Sequence, residues 1–120
     1  MLWCGRMEIK SKEVNDLSVM MKVAGRLNIE EVQGLEREFE KFVSRKKFVA
    51  LDLSGLKYID SSGIGFLIKA MNTAKNINVE LILVDITPQI LQVFKLAYLD
   101  KFFTILTAKE LHKQYPQFKA

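Results

Sequence analysis

The chain has 120 residues, a length typical of one domain, and it is 49% hydrophobic and 27% charged, which excludes disordered and fibrous proteins. Its net charge of +4 comes from 18 basic and 14 acidic residues. This surplus is mild, and its densest cluster, residues 45–47, fits a solvated helix end, so we expect no direct binding of nucleic acid.

The N-terminal segment, residues 1–6, follows no structural pattern. We expect it to be appended or disordered, with Met7 as the natural start of one domain that fills the rest of the chain. No signal peptide is predicted, and no stretch approaches the roughly 18 apolar residues that span a membrane. Cys4 is the only cysteine, which excludes an intramolecular disulfide and fits the reducing cytoplasm, where we expect the protein to act.

A β-hairpin and an amphipathic helix are predicted next. Residues 7–13 and 17–24 have extended character and are separated by a turn-forming Asn-Asp pair at 15–16, with Gly25 ending the second strand. From Glu30 to Lys46 the apolar residues fall on one helical stripe. Acidic residues at its start and basic residues at its end suit the helix dipole.

Strands and helices then alternate to the end of the chain. Continuous apolar runs predict two strands that are buried on both faces, whereas helical spacing and a proline at a first helical turn predict helices between them. The expected elements are a strand at Phe48–Leu53, a helix from near Ser62 to Asn76 or Asn78, a strand at Val79–Val84, a helix from Pro88, a strand at Phe102–Leu106 and a helix at Ala108–Tyr115. This order predicts a single α/β domain with a mixed, largely parallel sheet, an antiparallel edge hairpin and about four helices.

The segment D-S-S-G-I-G at residues 60–65 lies between a predicted buried strand and a predicted helix. In open α/β sheets, functional sites are usually found at this position, the carboxyl end of a strand. A serine at a helix start is also an ordinary cap, worth about 0.5–2 kcal/mol. One interpretation is therefore structural: Ser61 or Ser62 caps the helix, while Gly63 and Gly65 allow close packing.

Catalytic interpretations lack the groups they need. A nucleophile elbow places glycines on both sides of its serine, but here both glycines follow. The single histidine, His112, has no acidic neighbour except Glu110. A phosphate loop would need a lysine that is absent, and one histidine and one distant cysteine make no metal site. We expect no enzymatic activity, no metal and no cofactor.

The stretch LDLSGLKYIDSSGIGFL at residues 51–67 resembles the signature of the STAS family (sulfate transporter and anti-sigma factor antagonist). It is most similar to the stand-alone bacterial anti-sigma factor antagonists. The resemblance extends roughly from residue 7 to residue 106 and includes VDITP at 84–88 and LAYLDKFF at 96–103.

This resemblance implies a phosphorylation switch at Ser61, the serine directly after the motif aspartate. The unphosphorylated antagonist binds an anti-sigma factor that is also a serine kinase, which frees a sigma factor. The kinase phosphorylates the antagonist and lets it go, and a serine phosphatase resets it. The nucleotide belongs to the kinase, so the antagonist needs no cofactor. The amides of the helix N-terminus are expected to hold the phosphate.

The neighbouring residues then take supporting roles. Asp60 either positions the Ser61 hydroxyl or binds cations during transfer, or else it forms the turn through side-chain-to-backbone bonds. Ser62 is expected to be the cap. Gly63 and Gly65 are expected to leave room for the partner.

Three further residues complete the motif. By periodicity Ile64 and Leu67 face the core, whereas Phe66 lies off that stripe and is expected to contact the partner. Asn28 stands where the family often has an aspartate after the second strand. It can still cap a helix at 29–30, but its lack of charge predicts slower phosphorylation or a different kinase. The alternative function is a non-switching STAS scaffold subunit of a signalling or lipid-transport complex.

Overall fold

The computed structural model describes residues 7–119, so the segment expected to be appended, residues 1–6, lies outside the described residues. The elements are, in chain order, β1 (Glu8–Asn15), β2 (Ser18–Leu27), α1 (Val32–Val43), β3 (Phe48–Ile59), α2 (Ser61–Asn76), β4 (Glu80–Val84), α3 (Pro88–Leu96), β5 (Thr104–Leu106), α4 (Ala108–Gln114) and a terminal 3-10 turn (Pro116–Lys119).

Within the described residues the strands form one five-stranded sheet in the order β1-β2-β3-β4-β5. The β1–β2 hairpin is antiparallel, and each later strand pairs in parallel with the one before it. This confirms the predicted α/β class and the antiparallel edge hairpin. Because right-handed crossovers that add strands in one direction stay on one side, α1, α2 and α3 share a face of the sheet.

The two faces of the sheet carry separate hydrophobic clusters. Along β3, Val49 and Leu51 point into the large core beneath α1, α2 and α3. The intervening Ala50 points to the opposite face, where Leu111 of α4 and Phe118 of the terminal turn cover it. Because both faces are buried, the sequences of β3 and β4 contain continuous apolar runs and do not alternate between polar and apolar residues.

Strands β2 and β3 are longer than predicted. Gly25 does not end β2; it adopts a φ of 96°, a left-handed value that glycine tolerates, and pairing resumes with a shifted register. As a result Leu27 pairs with Ile59, six residues beyond the predicted end of β3 at Leu53. The two strands therefore carry the chain beyond the rest of the sheet and end side by side.

The basic cluster at residues 45–47 is not wholly solvated. The side chain of Lys46 is only 3% exposed. Its Nζ donates to the carbonyl oxygens of Asn15 and Asp16, each at 3.1 Å, and lies 2.6 Å from Oε1 of Glu13. Helix α1 ends at Val43, before this lysine, so Lys46 belongs to a connection that fastens the hairpin turn to the body of the domain.

Candidate functional site

The candidate site lies where β2 and β3 end together. Because Leu27 pairs with Ile59, the residues that follow them, Asn28 and Asp60, emerge side by side at the carboxyl ends of parallel strands. Helix α2 begins immediately afterwards at Ser61. The strand extensions thus place the serine motif at the carboxyl-terminal end of the sheet, where binding sites usually lie in open α/β folds.

Asp60, rather than Ser62, is the cap of α2. Its backbone is extended, and its Oδ1 accepts hydrogen bonds from the amides of Ser62 at 3.0 Å and Gly63 at 3.2 Å. The same oxygen accepts from the Ser62 hydroxyl at 2.5 Å. The prediction that Ser62 is the cap is wrong because Ser62 already lies inside the helix, where its own amide is one of those that need capping.

The second carboxylate oxygen of Asp60 reaches the other strand end. Its Oδ2 accepts from the amide of Ile29 at 3.3 Å, so one side chain joins the residues after β2 to the start of α2. The Ser62 hydroxyl, helped by the amides of Gly63, Ile29 and Ser62, holds the pKa of Asp60 below its usual value, although burial opposes the shift. Asp60 therefore stays ionised at neutral pH, in the turn-forming role that was its alternative interpretation.

Ser61 is the first residue of α2 and is exposed. Within residues 7–119 its hydroxyl has no hydrogen-bond partner, in contrast to that of Ser62. The amides of Ser62 and Gly63 are already taken by Asp60, so they are not open to hold a phosphate on Ser61 as predicted. The two adjacent hydroxyls thus differ: one is engaged in the turn, and the other is available to a protein in solution.

Asn28 caps the turn that leads into α1. Its Oδ1 accepts from the amides of Glu30 at 3.0 Å and Glu31 at 3.2 Å, and its carbonyl accepts from Glu31 and Val32, both at 3.0 Å. Asn28 therefore caps this turn and not the helix as predicted, because α1 begins only at Val32, two residues later than expected, with Glu31 at its N-cap position.

The two glycines of the motif have different surroundings. Gly63 is buried, and a Cβ there would stand 2.7 Å from Cγ1 of Ile59 and 2.8 Å from the carbonyl oxygen of Leu27. Gly63 thus lets α2 pack against both strand ends, and the expectation that it leaves room for a partner is wrong. Gly65 is exposed, with nothing within 4 Å of a Cβ built there.

Phe66 belongs to the core. It is 6% exposed, and its ring meets that of Phe39 on α1 edge to face at a centroid distance of 5.8 Å. The prediction of a partner contact is wrong because α2 packs against α1 as well as the sheet, which buries a wider arc than one stripe. Leu67 is fully buried as predicted, whereas Ile64 is only half-buried.

Two exposed apolar residues beside the motif escaped the sequence interpretation. Ile29 is 71% exposed and Tyr58 is 42% exposed, and the guanidinium of Arg26 lies 4.7 Å from the centre of the Tyr58 ring. Tyr58 lies beyond the predicted end of β3 at Leu53, and Ile29 was considered only as part of a helix start. Strict alternation would place Tyr58 on the same side as the buried Leu56; Tyr58 is exposed because the register shifts between these two residues, so no simple sequence pattern indicated it.

Within residues 7–119, no histidine lies near the serines. His112, the only histidine in the sequence, lies on α4, which packs on the opposite face of the sheet from α2. The described residues contain no group of three or more histidine, cysteine, aspartate or glutamate side chains placed to bind a metal ion. Over the same residues, no helix is both long and apolar enough to cross a lipid bilayer.

The fold and the motif define a class: a single α/β domain with a D-S-S-G turn opening the helix after its third strand. The STAS domain family model matches residues 8–113, and the chain belongs to this family.

Several solved structures share the fold. The unphosphorylated anti-sigma factor antagonist SpoIIAA superimposes with a TM-score of 0.75 at 18% identity, covering 89% of this chain and 95% of that one. The phosphorylated form of SpoIIAA, a Bacillus cell fate determinant, gives 0.70 at 18% identity, with 89% and 98% covered. A putative anti-sigma factor antagonist from Thermotoga maritima gives 0.75 at 24% identity, with 88% and 92% covered.

Proposed function

We propose that this protein is an anti-sigma factor antagonist switched by phosphorylation of Ser61. When unphosphorylated it binds an anti-sigma factor that is also a serine kinase, and so releases a sigma factor in the cytoplasm. A serine phosphatase then removes the phosphate and restores the unphosphorylated, binding form. The observation that carries the proposal is the exposed Ser61 hydroxyl, which has no hydrogen-bond partner among residues 7–119 and lies at the capped start of α2.

The surroundings of Ser61 suit a protein partner. Ile29 and Tyr58 expose apolar surface on the two strand ends, and Ile64 is half-exposed on the first turn of α2. Gly65 adds a place where another chain can approach the helix backbone. Aromatic and aliphatic anchors around a polar centre are typical of interfaces in which a few residues carry most of the binding energy.

The charges explain how one phosphate would work as a switch. Phosphorylation adds about −1.5 to −2 charges, directly beside the ionised carboxylate of Asp60. Since Asp60 occupies the first-turn amides, the new charge finds little compensation within the domain and acts on the interface instead. An unpaired buried charge costs about 2–5 kcal/mol, which weakens binding by a factor between tens and thousands.

The fold tolerates such a charge because Ser61 is exposed and its hydroxyl supports no internal contact. The fold of SpoIIAA is likewise known in both an unphosphorylated and a phosphorylated form, and this chain resembles both. The antagonist itself needs no catalytic group, since the kinase partner would supply the nucleotide.

The test is to express tagged Ser61→Ala and Ser61→Asp forms in the native host and to identify their co-purified partners by mass spectrometry. We expect an ATP-binding anti-sigma kinase with the alanine form and its loss with the aspartate form. Ser44→Asp is the matched control, since it puts the same charge on an exposed serine after α1, and it should keep the partners of the wild type.

If the alanine and aspartate forms retain the same partners, the switch is excluded and the scaffold-subunit interpretation replaces it. Direct incorporation of phosphate is the second readout. The wild-type protein should accept one phosphate from the co-purified kinase, and Ser61→Ala should accept none. Equal labelling of the two forms would contradict the assignment of Ser61.

A further inference from the structure

The face of the sheet opposite α2 holds a concave surface. Among residues 7–119, only α4, with 7 residues, and the terminal turn cover this face. A helix of that length spans about 10 Å, whereas five strands span about 19 Å, so part of the face stays uncovered. The result is a cleft of about 310 Å³, with Lys12, Lys22 and Lys119 among its lining residues.

The floor of the cleft is apolar. Val14 and Met20 from the hairpin and Val84 from β4 line it, together with Leu111 of α4 and Phe118 of the terminal turn. Val14 and Met20 are only partly buried by the cluster beneath α4, which leaves hydrocarbon accessible at the base of the cleft. Its volume lies at the lower end of the range for small-molecule sites.

The rim of the cleft carries an uncompensated positive charge. Three lysines face a single carboxylate, Asp52, whose Oδ1 accepts from the Ser54 amide. Among the described residues, Lys12, Lys22 and Lys119 have no carboxylate within 4.0 Å. Four other cations in the same part of the chain lie within 4.0 Å of a carboxylate, among them Lys41, which is 3.0 Å from Glu38.

The strand register adds to this charge surplus. Lys10 of β1 stands directly opposite Lys22 of β2, and like charges in such positions destabilise a sheet. A bound anion would relieve this repulsion. The carboxylate of Asp52, in register with Lys22 on the other side, offsets only part of it.

We propose that this cleft binds a small anionic amphiphile: a carboxylate or phosphate group held by Lys12, Lys22 and Lys119, with a short hydrocarbon chain on the Met20 and Phe118 floor. The site is separate from Ser61, because the cleft and α2 lie on opposite faces of the sheet. It stands whether or not Ser61 is a switch.

The test uses amide chemical shifts of the isotopically labelled protein titrated with decanoate and with decyl phosphate below their micelle concentrations. We expect saturable shifts that cluster in β1, β2 and α4. Decanol and inorganic phosphate each supply one half of the ligand and should bind at least about tenfold more weakly. The ratio of the decanoate and decyl phosphate affinities distinguishes the two head groups.

A matched pair of variants locates the binding. The Lys12→Gln, Lys22→Gln double variant should lose at least about tenfold in affinity. The Lys95→Gln, Lys101→Gln double variant removes the same charge from exposed positions outside the cleft and should bind as the wild type does.

Equal losses in the two double variants would overturn the site, and so would equally tight binding of decyltrimethylammonium. Binding only to sedimented anionic phospholipid vesicles, with no binding of either monomeric amphiphile, would replace it with a membrane-surface role.

Discussion

At the scale of single residues, neighbouring positions of the serine motif that look equivalent in the sequence have different structural roles. Asp60 caps α2 and fastens it to Ile29, Ser62 completes that turn, and Ser61 is left exposed. Gly63 is buried against the strand ends while Gly65 is open. A motif of six residues therefore combines structural positions with one position that is accessible to another protein.

The contrast between the glycines predicts opposite effects of alanine. Gly63→Ala places a methyl group within 3 Å of Ile59 and Leu27, including the Leu27 backbone, and should lower the free energy of unfolding by about 1–3 kcal/mol. Gly65→Ala meets nothing and should raise it by up to about 1 kcal/mol through helix propensity. Urea denaturation of both variants measures this, and equal stabilities would refute the packing role of Gly63.

Asn28 predicts a kinetic effect of charge at the proposed switch. Asn28→Asp keeps an oxygen for the amides of Glu30 and Glu31 and adds the carboxylate that the family often has there. We expect faster phosphate incorporation into Ser61 by the partner kinase, with the free energy of unfolding changed by less than about 1 kcal/mol. Unchanged labelling kinetics would show that this kinase does not use the charge.

At the scale of elements, the connections decide how strands and helices are held. The β1–β2 hairpin lies at the sheet edge and relies on Lys46, which bridges its turn to the segment between α1 and β3. The register shifts in β2 and β3 are a second such device, since they bring the two strand ends together at the candidate site. Neither the Lys46 contact nor the register shifts could be predicted from the periodicity of hydrophobic residues.

Lys46→Met should loosen the hairpin turn. The carbonyls of Asn15 and Asp16 lose their buried donor, at a cost of about 1–3 kcal/mol in unfolding free energy. Hydrogen exchange should quicken first in β1. Lys47→Met is the control, since that side chain is exposed, and an equal loss of stability in both variants would argue against the anchoring role.

At the scale of the whole molecule, the sheet separates two surfaces with different chemistry. One side supports α1, α2 and α3, with Ser61 at the rim, and the other carries α4, the terminal turn and the lysine-rich cleft. The C-terminal segment closes this second side. The Tyr115 hydroxyl donates to Oε1 of Glu80 at 2.6 Å, and its ring packs against Phe48.

The hydrogen bond between Tyr115 and Glu80 predicts that the free energy of unfolding falls at alkaline pH. The hydrogen bond to Glu80, together with burial, raises the pKa of Tyr115 to about 12. Because the folded state holds this proton more tightly than the unfolded state, the contribution is complete below pH 10 and is lost as pH rises from about 10 through 12. In the Tyr115→Phe variant, the free energy of unfolding should depend less on pH in this range. The difference in phenolate absorbance between the wild type and this variant measures the titration of Tyr115 directly.

The sequence by itself determined the fold class, the order of the elements and the family. Continuous apolar runs, helical stripes and turn residues reflect burial on one or two faces, and burial is imposed by the same architecture that they predict. The position of the serine motif between a strand and a helix was visible for the same reason.

Only the tertiary structure decided how that motif is used. The caps, the burial of Phe66 and Gly63 and the exposure of Ile29 and Tyr58 depend on how α2 meets α1 and the ends of two strands. The cleft likewise joins residues of β1, β2, β3, β4, α4 and the terminal turn. Periodicity describes the neighbours of a residue along one element, whereas these features arise where separate elements meet, at positions set by register shifts.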